Sequence, residues 1–275
     1  MTISSTTDPF SLYAGVYDRE FSMHPQVQRL RGRIYREALA TWQAGAMVLD
    51  LGCGTGEDAL YLRRHGIEVT AADPSAGMIK ELRTKIAAEN VPMRFIQLNA
   101  EQLGELPENS FEGIFSNFGA LNCSGNLPSI FDECERILQD DGILMICLLN
   151  PHALWETAAF IARGHFRAAF RRWHKRSVKV PIGERSVPVW YYSTSHVLRI
   201  ARAKFEVRKI TGLNIFSPPP SSFRFHEKHP HLVRLLEAAD QRIQSLPLVS
   251  RLGDHVLLSL QRKSTLAHPS AGVRT

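Results

Sequence analysis

The chain has little of what marks exported, membrane-spanning or metal-built proteins. Its longest apolar run, Ile143 to Leu149, is about seven residues, far short of the roughly 18 that a membrane span needs. The opening MTISSTTDPF carries neither a basic stretch nor an apolar core, so no secretory leader is expected there. The four cysteines, Cys53, Cys123, Cys134 and Cys147, show no paired spacing, which favours reduced thiols in a cytoplasmic, soluble protein. Eleven histidines include no His-Glu-x-x-His, and no metal is expected. No internal repeat is present, and Pro218 to Ser222 is a loop rather than the start of a low-complexity tract. Acidic residues are missing altogether between Glu156 and Glu184, and much of the net charge of +6 arises there.

What the chain does have is concentrated in AMVLDLGCGTGEDALYL, Ala46 to Leu62. Val48, Leu49 and Leu51 form a short apolar run suited to a strand buried on both faces. Gly52, Gly54 and Gly56 then allow a sharp turn beside a ligand, and Glu57-Asp58 places negative charge in the first turn of a helix. A second strand, Ile67 to Asp73, stops at Pro74, which holds Asp73 at the carboxyl edge of the sheet, where open α/β sheets bind ligands. The rival pattern is the dinucleotide fingerprint G-x-G-x-x-G, but here Glu57 stands where that pattern wants its last glycine. A carboxylate is a poor neighbour for a diphosphate and a better one for a ligand carrying an ammonium and a sulfonium, as S-adenosylmethionine does. The Tyr-x-x-x-Lys of short-chain dehydrogenases is also absent.

The segments VLDLGCGTGEDALYL, VTAADPSAGMI, FIQLNAEQL and ILQDDGILMICLLNP, in that order and spacing, resemble the successive motifs of class I S-adenosylmethionine-dependent methyltransferases. The similarity is greatest to the small-molecule branch, methyltransferase type 11, that includes the ubiquinone and menaquinone methyltransferases, and it is strong over about Met47 to Leu149. The resemblance implies S-adenosylmethionine as cofactor and S-adenosylhomocysteine as product. Asp73 would accept both ribose hydroxyls. Asp50, Gly52, Gly54 and Gly56 would surround the methionine portion, with Asn117 near the same end. Pro74 and Met78 would lie against the adenine, and Asn99, Ala100 and Glu101 would reach its exchangeable edge. Relatives often carry Asp at the position of Asn99; an amide oxygen can still accept a hydrogen bond from the adenine amine. Tyr13 and Tyr17 resemble the N-terminal segment that folds over the cofactor in related enzymes.

Strictly alternating elements predict an α/β fold: a Rossmann-like seven-stranded, mostly parallel sheet with an antiparallel last strand, helices on both faces and a lid insertion. Residues 1–45 form an N-terminal cap with a leading helix, Pro25 to Gln43, and 46–150 the cofactor-binding core. Residues 151–204 form the lid, 205–263 the strands and helix that complete the core, and 264–275 a tail. Core strands are expected at about 46–51, 67–73, 93–98, 111–117 and 142–149. In the lid, Leu154 to Trp173 reads as one helix, followed by a hairpin turning at Gly183.

On that helix Arg163, Arg167 and Arg171 would share one face and Phe166, Phe170 and Trp173 another. Together with Arg172, Lys175, Arg176 and Lys179 this basic stretch, Arg163 to Lys179, could meet an anionic membrane surface or an acidic substrate. It could also track a nucleic acid, or pack its apolar stripe over the active site with the arginines in water. The strand-four segment ends Phe115-Ser116-Asn117-Phe118-Gly119 rather than in the Asn/Asp-Pro-Pro-aromatic grip on a flipped base. No Pro-Cys pair and no paired-glutamate loop occur, so a small-molecule or lipid-like acceptor is the leading expectation. An RNA or other nucleic-acid methyltransferase and a non-catalytic cofactor-binding partner protein are the alternatives. Tyr13, Phe118, Asn122, Tyr191 and Tyr192 are candidates to line the acceptor pocket. If the acceptor must lose a proton, His24, His152 and Tyr17 are candidate bases.

Overall fold

The computed structural model describes residues 8–173 and 177–264. Asp8 caps the first helix, α1 (Pro9–Tyr17), and a five-residue π-helical turn, Asp18–Ser22, leads into α2 (Pro25–Thr41). The core then alternates: β1 (Met47–Leu51), α3 (Glu57–Arg64), β2 (Glu68–Asp73), α4 (Ala76–Glu89), β3 (Arg94–Gln97), β4 (Phe111–Ser116), α5 (Leu127–Ile137) and β5 (Leu138–Leu149). Start signals are local. Ser75 caps α4 by accepting from the Met78 N–H, and Asn126 followed by Leu127-Pro128 opens α5. Asn90 closes α4 in the left-handed conformation.

The strands form one seven-stranded sheet in the order β3-β2-β1-β4-β5-β9-β8, where β8 is Phe205–Leu213 and β9 is His255–Arg262. Strands β1 to β5 run parallel, and β9 lies antiparallel between β5 and β8. The expected antiparallel strand is therefore present, inserted one place in from the edge. Side chains alternate across the central strands: Val48 and Phe115 pack with Ile34, Ala38, Trp42 and Leu60 on one face, while Leu49, Leu51 and Ile114 pack with Ile130, Phe131 and Ile137 on the other. Gly113 is required by this packing, since a Cβ there would come within 2.4 Å of the Trp42 indole. Strand order reverses between β1 and β4, so the carboxyl ends of β1, β2 and β4 open onto a switch point, the place where sheets of this kind take ligands.

The lid differs from the sequence expectation. Its first helix, α6 (Leu154–Ala162), ends at Arg163 because Gly164 takes φ +75, and only a single turn, α7 (Phe166–Ala169), and a 3-10 turn, Arg171–Trp173, follow. Arg163, Arg167 and Arg171 consequently share no helix face, and the continuous amphipathic helix is absent. Phe166 and Trp173 are more than half exposed and Phe170 is 40% exposed, so these side chains do not form the buried apolar face of a helix. Lys175 and Arg176 lie outside the described residues. The hairpin β6 (Val178–Ile182) and β7 (Arg185–Val189) turns at Gly183 as its sequence requires. Helix α8 (Thr194–Ala201) precedes β8, and α9 (Phe223–Lys228) with α10 (Pro230–Ile243) precedes β9. Among the described residues no helix is long and apolar enough to cross a membrane.

Candidate functional site

The glycine turn and Asp73 form one hydrogen-bonded unit. Gly52, Gly54 and Gly56 all adopt positive φ. At Gly52 an added Cβ would stand 2.3 Å from the Ala120 Cβ, whereas at Gly54 it would meet nothing within 4 Å, so this glycine fronts open space. The Gly54 N–H donates to Asp73 Oδ2 at 2.9 Å and the Ser75 N–H to Oδ1 at 2.9 Å. Each oxygen of Asp73 keeps a further lone pair for an outside donor. Burial raises this carboxyl from 3.8 to about 6, with the two backbone N–H groups pulling the other way.

Beneath the turn lies a buried pair of carboxylates. Asp58 accepts from Arg31 Nη1 (2.8 Å), the Tyr35 hydroxyl (2.7 Å) and Asn117 Nδ2 (3.1 Å), so it is fully engaged. Burial opposes the charge on Arg31, but Asp58 and Tyr35 outweigh it and raise the guanidinium above its ordinary value. Asp50 is different. Its two oxygens are buried without a hydrogen-bond partner, and burial, reinforced by Asp58, pushes its carboxyl well above the usual range; the Ala59 amide eases this without reaching hydrogen-bond geometry. A buried carboxylate that lacks a donor fits a site completed by a cation from outside.

Glu57 requires a correction. Its carboxylate meets Lys85 Nζ at 2.5 Å, and Lys85 also reaches Asp18 at 2.5 Å, so the charge that argued against a diphosphate is spent within the fold. The orphaned Asp50 supplies the cation preference that the sequence reading gave to Glu57. Asp18 further accepts from the Thr55 hydroxyl at 2.6 Å, which ties the π-helical turn to the glycine loop. Nearby, Ser11 Oγ lies 2.8 Å from Ser75 Oγ and accepts from the Gly77 N–H, and a Cβ on Gly77 would strike the Ser11 backbone. The N-terminal segment is thus packed across the start of α4, with Tyr17 among Arg31, Asp58 and Asp73; burial raises the Tyr17 phenol. Tyr13 packs edge-on against Tyr17 and donates to Glu20 at 2.8 Å.

The other residues singled out from sequence fall in three places. Met78 is buried and Pro74 exposed at the start of α4, while Asn99, Ala100 and Glu101 open a 3-10 turn after β3. The Asn99 amide oxygen accepts from the Glu101 N–H at 3.2 Å, and Glu101 accepts from the Ser124 hydroxyl at 2.7 Å. Phe118, at φ +46 after β4, lies under Arg31 and meets Phe21 edge-on. Asn122 is buried and bonds the Leu149 N–H and carbonyl and the Trp190 carbonyl (2.7 Å), a clamp between sheet and lid. His24 stacks on Phe223 at 3.6 Å, and His152 packs edge-on against Trp173.

A cluster that the sequence did not reveal joins lid to sheet. Arg172, buried over Tyr191, pairs with Glu156 and, at 2.9 Å, with Asp254; Asp254 also lies 2.9 Å from His255 Nδ1. Burial would raise the Asp254 carboxyl, but Arg172 and His255 hold it far below the usual range. The His255 ring packs edge-on against Phe118 at 5.9 Å, at the carboxyl edge of the sheet. Only the antiparallel placement of β9, pairing His255 with Leu149, makes this possible.

This fold and this site are those of a nucleotide-cofactor enzyme of the doubly wound class, and comparison with known proteins narrows the class. Residues 49–146 match the family model described as a methyltransferase domain. An uncharacterized protein of Methanocaldococcus jannaschii is 33% identical over 184 residues, 65% of this chain and 69% of that one. A malonyl-[acyl-carrier protein] O-methyltransferase of Pectobacterium atrosepticum is 33% identical over 147 residues, so the match spans 54% of each chain, only about half of that relative's length. Among solved structures, an S-adenosylmethionine-dependent methyltransferase from Mesorhizobium loti superposes with a TM-score of 0.55 at 16% identity, over 86% of this chain and 97% of that one, a likeness of fold. A methyltransferase domain therefore spans residues 49–146 of this chain, and its named relatives are methyltransferases.

Proposed function

We propose that this chain binds S-adenosylmethionine at the glycine turn and directs its methyl group to a small-molecule acceptor entering from the lid side. The observation that carries the reading is the orphaned, buried Asp50 carboxylate two residues before the glycine turn, with Asp73 one strand away offering two free lone pairs. That donor set suits a ligand with an ammonium at one end and a diol at the other. Asp50 would pair with the ammonium, and Asp73 would accept from both ribose hydroxyls in charge-assisted bonds. The bound cofactor supplies an electrophilic methyl on a sulfonium, so the protein's main work is alignment, an effect that reaches about 7–11 kcal/mol in well-oriented systems.

At the carboxyl edge of the sheet Phe118 meets the His255 ring edge-on, and His255 Nδ1 lies 2.9 Å from Asp254. An acceptor that must lose a proton would find its base there rather than at His24, which stacks on Phe223, or His152, which packs on Trp173. A named relative takes a malonyl group carried on a protein, and a small acceptor is our reading for this chain also. Calorimetry with S-adenosylhomocysteine tests the cofactor half. Incubation of cell extract with methyl-labelled cofactor, followed by mass spectrometry of small molecules, tests the acceptor half. Absence of heat with S-adenosylhomocysteine sinks the proposal; label appearing only in RNA or protein removes the small-molecule reading.

A further inference from the structure

Between the lid and the carboxyl edge of β5 lies a cavity of about 820 Å³, within the range of small-molecule pockets. Its lining contains four arginines and two histidines but no aspartate or glutamate. Arg172 is spoken for, since Glu156 and Asp254 neutralise it. Arg199, Arg202 and Arg251 are not: among the described residues none of them pairs with a carboxylate. Arg199 Nη2 lies 2.6 Å from the Nδ1 of His196, and Arg251 Nη1 donates to the Ser195 hydroxyl at 3.2 Å. The Nε of Arg251 is buried with no acceptor. A buried donor left in this way favours a ligand that brings it an acceptor.

The same cavity has aromatic walls. Trp190, Tyr191 and Tyr192 come from the segment after the hairpin, with Tyr192 stacked on His196 at an interplanar angle of 8°. Trp173 stands at the rim, 51% exposed. Helix α8 runs along this wall, from Ser193 and Ser195 at its start to Arg199 and Arg202 at its end. Arg172 on the cavity wall pairs with Asp254, Asp254 lies against His255, and the His255 ring packs edge-on against Phe118 at the end of β4, so a run of contacts leads from the cavity to the carboxyl edge of the sheet. Three arginines without acidic partners, a buried unsatisfied donor and flat aromatic surfaces together describe a ligand by its chemistry.

Building on the methyl-transfer reading above, we propose that this cavity seats the acceptor, a flat molecule bearing an anionic oxygen group, carboxylate or phosphate, held by Arg199, Arg202 and Arg251. The basic contact that the sequence placed at Arg163 to Lys179 moves, on this view, to the mouth of α8 and the turn before β9. Arginine forks suit both oxyanions, with Arg199 and Arg202 at the exposed side of the cavity and Arg251 half-buried.

The test uses the full chain with S-adenosylhomocysteine present and three ring-matched probes: 2-naphthoate, 2-naphthyl phosphate and neutral 2-naphthamide. Binding is followed by tryptophan fluorescence and calorimetry. At least one anionic probe should bind about tenfold or more tighter than the amide, the ratio expected from one charge-assisted hydrogen bond. Arg251→Met and, separately, Arg199→Met should erase that preference while affinity for S-adenosylhomocysteine stays unchanged. A stronger response to naphthoate identifies a carboxylic acid acceptor, and a stronger response to naphthyl phosphate a phosphorylated one. Equal binding of the anionic and neutral probes, no binding of any probe, or a preference that survives both substitutions overturns the assignment. Failure of the parent chain to bind S-adenosylhomocysteine is a separate result that refutes the cofactor reading instead.

Discussion

Replacement of Asp73 by alanine separates cofactor recognition from folding, and the structure gives both magnitudes. The variant loses the two acceptors offered to the ribose, each a charge-assisted bond of about 1.5–3 kcal/mol, so cofactor affinity should fall by roughly two to four orders of magnitude. Folding is affected by opposing effects. The Gly54 and Ser75 N–H groups lose their acceptor, at about 1–3 kcal/mol each where water cannot replace it. Against this, a buried carboxyl raised from 3.8 to about 6 is disfavoured in the native state by about 3 kcal/mol at neutral pH, and its removal returns that amount. Net stability should therefore change by no more than about 3 kcal/mol, and the variant should still unfold cooperatively. Calorimetry with S-adenosylhomocysteine and urea unfolding read the two quantities independently. A folded variant that binds S-adenosylhomocysteine as the parent does would refute the role given to Asp73 and the reasoning behind it.

The same carboxyl sets a pH dependence. A ribose diol favours the ionised form, so affinity for S-adenosylhomocysteine should be level above about pH 6 and decline below it, approaching tenfold per pH unit, and a flat profile between pH 5 and 8 would contradict this. Arg172→Met strands Asp254 as a buried carboxylate, while Glu156 keeps Arg171, with an expected loss of about 3–5 kcal/mol in urea unfolding. Because Asp254 is held below its ordinary value of 3.8, its contribution is complete above about pH 4 and drains away as the medium becomes more acid. The parent chain should show this acid-side decline and the Arg172 variant should not. Gly52→Ala forces a Cβ to 2.3 Å from Ala120 at a positive φ, so cofactor affinity should drop together with melting temperature, while Gly32→Ala, in open space within α2, should leave affinity unchanged and raise melting temperature slightly.

The sequence by itself determined the sheet and the cofactor end of the site, because both rest on short-range grammar. A buried run into glycines at positive φ and a proline after Asp73 fix a strand-turn-helix and a carboxylate at the sheet edge, whatever the rest of the chain does. Helices α4 and α5 were legible for the same reason, their caps lying within three residues of what they cap. The lid helix was misread because the spacing of Arg163, Arg167 and Arg171 is helical on paper, while Gly164 makes the left-handed turn that ends α6. Glu57 was given a ligand role because Lys85, 28 residues on, could not be seen as its partner. What only the tertiary structure decided lies on the acceptor side: β9 enters antiparallel beside β5 and sets Asp254 and His255 against Arg172, Tyr191 and Phe118, residues from four separate stretches of chain. Contacts between residues that far apart follow from packing and loop closure, which local periodicity does not encode.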